Sequence, residues 1–161
     1  MIAYETKEDS GGLLIRDCRS SDLARVYEIE KLSFEEPYPL SLFKDMLAEY
    51  PQGFRVADYN GLLEGYCAVT PTPDEGTMII ASIAVHPDFK KHGIAFALIK
   101  DAISRIKSLE PKTKRLVLQV SVDNIAAQKL YSKLGFMYKQ GIKNYYGRSK
   151  DAFEMELELA A

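Results

Sequence analysis

Cysteine is scarce in this chain, with Cys18 and Cys67 as the only two among 161 residues. They stand far apart and in no metal-ligand spacing, so no metal is expected, and two buried thiols in a reducing compartment are the expected state. Also missing is any apolar window long enough to span a membrane. Met1 to Gly12 is polar and acidic and lacks the apolar core of a secretory leader. That segment, 1–12, is expected to be a flexible arm ahead of a single domain over 13–161. A basic balance is lacking too: 21 Lys and Arg stand against 23 Asp and Glu, a net charge of −2. This removes the general footprint of a nucleic-acid binder. Repeats and linker-like stretches are absent. These absences together point to a soluble cytoplasmic protein with no membrane or nucleic-acid partner.

What is present has globular proportions, 47% apolar and 27% charged residues. Leu13 to Cys18 reads as a first strand. Ser20 or Ser21 caps a helix to about Phe34, with Leu23, Val26 and Glu30 around one side. Glu35-Glu36-Pro37-Tyr38-Pro39 breaks it, because prolines two apart exclude helix. A second helix runs from Ser41 to about Tyr50. Asn60-Gly61 is a hairpin signal between strands Phe54–Asp58 and Leu63–Thr70. Thr77 to Val85 is a long apolar strand, followed by a helix from Ile94 to Ser108 and a strand from Leu116 to Val120. Asn124 to Leu134 is a helix, with Gly135 as its C-terminal glycine. Phe136 to Tyr146 and Phe153 to Leu159 close the chain as strands. The order β-αα-βββ-α-β-α-ββ predicts an α/β (α+β) domain. Its sheet is expected to be mixed, mostly antiparallel and of about seven strands, with helices on both faces.

One junction carries chemistry. The strand ending Ile83-Ala84-Val85 meets Pro87, which cannot donate to a sheet ladder. A basic turn, Lys90-Lys91-His92-Gly93, then leads into the helix at Ile94. First-turn N–H groups of a helix lack internal partners and carry partial positive charge, so this junction suits an anion. Gly93 lets a ligand approach the backbone, and Lys90 and Lys91 add full charge. An ordinary strand-to-helix connection with a solvated basic turn fits the same residues.

The turn, taken with the stretch L-Q-V-S-V-D-N-I-A-A-Q-K-L-Y-S-K-L-G-F over Leu118–Phe136, resembles the GCN5-related N-acetyltransferase (GNAT) family. The element order fits that family over nearly the whole chain. Lys90 in the leading slot of the turn is a mild departure from the usual Gln or Arg. The resemblance implies acetyl-coenzyme A as cosubstrate, lying in a cleft where the strand ending at Val85 splays from the strand ending at Val120. Its pantetheine arm would pair with the backbone of Ile83, Ala84 and Val85, like an added strand. Its pyrophosphate would sit on the N–H groups of Lys91, His92, Gly93, Ile94, Ala95 and Phe96. Asn124 matches the asparagine that contacts the pantetheine arm, although a helix N-cap uses asparagine equally well. Tyr131 matches a tyrosine near the cofactor sulfur, although core packing beside Leu130 and Leu134 explains it as well.

The resemblance assigns Tyr131 as the acid that protonates the leaving thiolate, since a tyrosine with pKa near ~10 holds its proton at neutral pH. The Val85 N–H would stabilise the oxyanion. The base is where the chain departs from the family: Ile79 and Gln119 stand where relatives often carry a proton acceptor. Glu36, with Glu35, Tyr38 and His86, is a candidate instead. Phe34 to Leu47 and the later Lys143-Asn144-Tyr145-Tyr146 are similar to segments of protein N-terminal acetyltransferases and their archaeal and ribosomal-protein alanine acetyltransferase relatives. This implies that Phe34, Glu35, Glu36 and Tyr38 line one wall of a peptide site and Tyr145 and Tyr146 the other. The implied substrate is the α-amine of protein or peptide N-termini, including ribosomal or nascent chains. A departure at Gly147-Arg148-Ser149-Lys150-Asp151 makes that loop basic, so acidic second or third peptide residues become plausible. Small amines, lysine side chains and a catalytically weak acetyl-coenzyme A binding module stay open as alternatives.

Overall fold

The structure, a computed structural model, describes residues 2–3, 12–90, 92–143, 145 and 150–159. In chain order the strands are β1 (Ile2–Ala3), β2 (Leu13–Asp17), β3 (Phe54–Tyr59), β4 (Leu62–Pro71), β5 (Thr77–Val85), β6 (Arg115–Ser121), β7 (Met137–Ile142) and β8 (Ala152–Glu158). They form one sheet in the order β1-β2-β3-β4-β5-β6-β8-β7. Every neighbouring pair is antiparallel except β5 and β6. The helices are α1 (Leu23–Ser33), α2 (Leu40–Glu49), α3 (Ile94–Leu109) and α4 (Ile125–Lys133). This is the expected mixed sheet, with one short strand added. Ile2 and Ala3 of the expected arm pair with Ile15 and Leu14, while positions 1 and 4–11 lie outside the described residues.

The two faces of the sheet bury separate apolar clusters. Cys67, Val69, Met78, Ile80 and Leu118 pack against α3 and α4 through Leu98, Ile99, Ala102, Ile106 and Tyr131. On the other face Val56, Tyr66, Ala68 and Ala84 pack against α1 and α2 through Val26, Ile29, Phe43 and Met46. At the β3–β4 hairpin Asn60 and Gly61 have φ of 51° and 93°. Both central residues of such a turn need positive φ, which explains why Asn-Gly occupies it. Before α1, the expected serine cap is replaced by a 3-10 turn, Ser20–Asp22, in which the Asp22 carboxylate accepts from the Arg19 N–H. The strand expected to reach Tyr146 stops at Ile142, where its pairing with β8 ends at Ala152.

Two irregularities shape the centre of the sheet. In β4, Ala57 pairs with Gly65 while Asp58 pairs with Leu63, leaving Glu64 as an extra residue. In β5, Ser82 pairs with Ala68 while Ile80 pairs with Val69, leaving Ala81 as the extra one. A bulge bends the strand that carries it and sharpens its twist. The parallel ladder between β5 and β6 covers only Thr77, Met78 and Ile79 against Arg115, Leu116 and Val117. Beyond Ile79, where the bulge lies, the two strands part.

Helix α3 is tied to β3 by charge. The Arg55 guanidinium donates to both oxygens of Asp101, at 2.9 and 3.2 Å, and to Asp17 at 2.6 Å and the Ile15 carbonyl at 3.3 Å. The thiols are both unbonded to one another and buried. Burial pushes the Cys18 thiol up to about 12. Burial, with the Asp101 charge nearby, pushes Cys67 higher still. Thiolate is the reactive form, so both thiols are expected to be silent to a disulfide reagent at pH near ~8 in the native protein. Both should report once the protein is unfolded in denaturant. Reaction of either thiol at the rate of a free cysteine in the native state would contradict this burial.

Candidate active site

Three of the expected residues lie at the opening between β5 and β6. Ile83, Ala84 and Val85 end β5 and pair on one side with Cys67, Tyr66 and Gly65 of β4. On the other side they lie past the end of the ladder with β6. Backbone groups of an extended strand need partners, so this edge is suited to an extended ligand. Past Val85 the His86 N–H donates to the Glu64 carbonyl at 2.8 Å, which uses the bulge residue of β4 to turn the chain. His86 Nδ1 accepts from the Asp88 N–H at 3.1 Å, and its ring lies 5.4 Å from that of Phe89. That nitrogen caps a 3-10 turn, which favours the structural role for His86 over the base.

At the start of α3, Gly93 has φ 77° and ψ 12° with no side-chain cap on the helix. A Cβ built there meets nothing within 4 Å, so the space before the first turn is open. The exposed Lys90 and His92 flank it, Ile94 is buried, and Ala95 and Phe96 are half-buried. Lys91 lies outside the described residues. First-turn N–H groups and the helix dipole suit this position to an anion.

Asn124 accepts from the Ala127 N–H at 3.1 Å and caps α4. Tyr131, one helix face further on, is buried. Its ring lies 5.9 Å from that of Phe136 at an interplanar angle of 60°. It therefore belongs to the α3 and α4 face of the core.

The expected peptide walls lie on the opposite face. Phe34 ends α1 in extended backbone and packs, like Tyr38, against the cluster under α1 and α2. Glu35 and Glu36 are exposed. Tyr145 sits in a turn past β7 rather than on a strand, and its hydroxyl donates to the Gln119 Oε1 at 3.3 Å. Tyr146 lies outside the described residues. Lys150 Nζ contacts the Glu35 carboxylate, so the two loops meet. That pairing occupies the described cation of the basic loop. The expected taste for acidic peptide residues then depends on Arg148, outside the described residues.

The structure also brings forward residues that were not expected in this role. Glu30 of α1 is 2% exposed. Its Oε1 accepts from the Tyr66 hydroxyl and, at 2.9 Å, from the Ser82 hydroxyl. Its Oε2 accepts from the Tyr38 N–H at 2.9 Å. Burial, followed by the Glu30 charge, pushes the Tyr66 phenol far above its ordinary range, so it stays a donor. A signal existed: an acid on the apolar stripe with Leu23 and Val26 requires buried partners.

A sheet opened between one parallel pair, with a helix N-terminus beside the opening, defines the GNAT acetyltransferase fold. The chain belongs to the acetyltransferase (GNAT) family, whose model matches residues 23–136. It is 31% identical over 157 residues to an N-alpha-acetyltransferase of Sulfurisphaera tokodaii, covering 90% of this chain and 92% of that one. It is 30% identical over 150 residues to a ribosomal protein bS18-alanine N-acetyltransferase of Escherichia coli strain K12, covering 91% and 97%. The solved structure of Ard1 from Thermoplasma volcanium superposes with a TM-score of 0.87 at 27% identity, covering 93% of this chain and 99% of that one. The chain is thus an N-acetyltransferase. Among the described residues no helix is long and apolar enough to cross a membrane, and no group of His, Cys, Asp and Glu is arranged to hold a metal.

Proposed function

We propose that this chain acetylates the α-amine of protein N-termini with acetyl-coenzyme A. The observation that carries the reading is the edge of β5 from Ile80 to Val85, left open where the ladder with β6 stops at Ile79. It runs toward the open helix start at Gly93. One groove thus offers a strand edge for an extended amide-bearing arm and an anion site for a diphosphate, which are the two chemistries of coenzyme A. The cosubstrate supplies an activated thioester. The Val85 N–H is the donor for charge developing on the carbonyl oxygen. Tyr131 gives its proton to the departing sulfur, as the C–S bond breaks and the C–N bond forms.

The acceptor is argued from what the site lacks. Ile79 and Gln119 take no proton, and Gln119 Oε1 is engaged by Tyr145. An α-amine with pKa near ~8 is already about one-tenth neutral at neutral pH, whereas lysine at ~10.4 needs about 3 kcal/mol more. A site of this kind favours the α-amine, with water or Glu36 at the exposed mouth taking the proton. The two relatives named for N-terminal and ribosomal-protein alanine acetylation support the same acceptor class. We take 13–161 as the catalytic unit, to whose sheet Ile2 and Ala3 add a short edge strand.

The test is mass spectrometry of a peptide panel offered together with free lysine and spermidine. Acetyl groups are expected on peptide α-amines and on neither competitor. Label that goes to lysine side chains or spermidine in preference to N-termini would overturn the reading.

A further inference from the structure

We infer that Glu30 is the positioning residue of the acceptor site, one buried carboxylate that sets the Phe34–Pro39 loop against the bulge of β5. Three donors from three elements converge on it. Tyr38 N–H comes from the loop, at 2.9 Å. Ser82 Oγ comes from β5, also at 2.9 Å, beside Ala81, where β5 leaves β6. The Tyr66 hydroxyl comes from β4 and also lies 2.9 Å from Ser82 Oγ. The ring of Tyr38 adds a second anchor, edge-on to Phe43 at a centroid distance of 6.4 Å. Phe43 in turn stands edge-on to Tyr66 at 5.7 Å.

The chemistry of the three donors separates two substitutions. A hydroxyl can donate or accept, whereas a backbone N–H can only donate. Glu30→Gln can therefore turn its oxygen toward Tyr38 N–H and its amide toward the two hydroxyls, keeping every bond. Glu30→Leu keeps volume and removes the acceptor that holds the loop, while Tyr66 and Ser82 retain each other. A role confined to core stability would not distinguish peptide from cosubstrate, because the anion site at Gly93 lies on another element. A positioning role raises the KM for the acceptor alone.

This inference rests on the peptide reading above, and its test can be separated from that reading. For Glu30→Leu the KM for an acceptor peptide is expected to rise about tenfold, the change that loss of one hydrogen bond to a carboxylate implies. The KM for acetyl-coenzyme A should stay within about twofold. Glu30→Gln should return the peptide KM to near that of the unsubstituted protein. In that protein, hydrogen exchange read by mass spectrometry should show the Tyr38 amide protected relative to the amides of Glu35 and Glu36. Equal rises in both KM values, a folded Glu30→Gln no better than Glu30→Leu, or a Tyr38 amide exchanging like an open loop would each overturn the inference. Should the unsubstituted protein acetylate lysine or spermidine and no peptide, the peptide reading fails, and the exchange measurement still decides the role of Glu30.

Discussion

Replacing Tyr131 with phenylalanine is expected to leave coenzyme A binding near its original strength and to cut turnover by about 100-fold or more, the usual worth of a general acid. The reasoning separates the ring from its hydroxyl. The ring is buried beside Phe136, and phenylalanine fills the same volume, so the core should not relax. What is lost is the hydroxyl proposed as the proton donor, of a residue type whose ordinary pKa, near ~10, keeps the proton at neutral pH and lies close enough to that of a thiol to exchange it. A thiolate leaving group without a donor leaves the transition state with uncompensated charge, and that cost falls on kcat rather than on binding. Calorimetry with coenzyme A and steady-state rates on one preparation provide the check. Unchanged turnover would remove Tyr131 from the chemistry. Lost binding together with lost turnover would make it a packing residue.

Local signals in the chain translated well into structure where one turn decides the geometry. Asn60-Gly61 occupies a hairpin turn with both φ values positive, and Gly135, with φ 101°, follows α4. Gly93 likewise takes φ 77° at the start of α3, so the turn that opens this helix was readable from a few residues of sequence. The bulges at Glu64 and Ala81 were not readable. A bulge exists only against a partner strand, and the run Met78-Ile79-Ile80-Ala81-Ser82-Ile83-Ala84-Val85 is so evenly apolar that a change of face leaves no mark in it. The Glu30 network shows the same limit. The acid on an apolar stripe is visible, yet its partners Tyr66 and Ser82 lie 36 and 52 positions away. The strand expected to reach Tyr146 ended early because β7 depends on pairing with β8 rather than on its own residues, five of which are exposed. The contact made by Lys150 was hidden for a related reason: its partner, Glu35, is distant in sequence and adjacent in space.

The largest stability effect is expected at Asp101, whose side chain is fully buried against an Arg55 side chain that is 2% exposed. Burial pulls the Arg55 guanidinium toward losing its proton, but hydrogen bonds and charge from Asp101, then Asp17, outweigh it and raise its pKa. Asp101→Ala leaves that cation in the core with Asp17 and the Ile15 carbonyl as its remaining partners among the described residues. Breaking a buried pair from one side costs about 3–5 kcal/mol, which for a chain of this size lowers the melting temperature by about 10 °C or more. Removing both charges is a different case, because desolvation of the pair offsets most of its attraction. The double variant Arg55→Met with Asp101→Leu should therefore regain most of the loss, despite two substitutions in the core. Melting curves of the two variants decide it. If the double variant melts as low as Asp101→Ala, the pair contributes stability in its own right. If Asp101→Ala melts like the unsubstituted protein, the guanidinium finds solvent and the site is not dry. The same experiment bears on the proposed cosubstrate site, because Asp101 holds the middle of the helix whose first turn is proposed to take the diphosphate. A loosened α3 should weaken coenzyme A binding at temperatures where the fold is still intact, which calorimetry well below the melting transition would register.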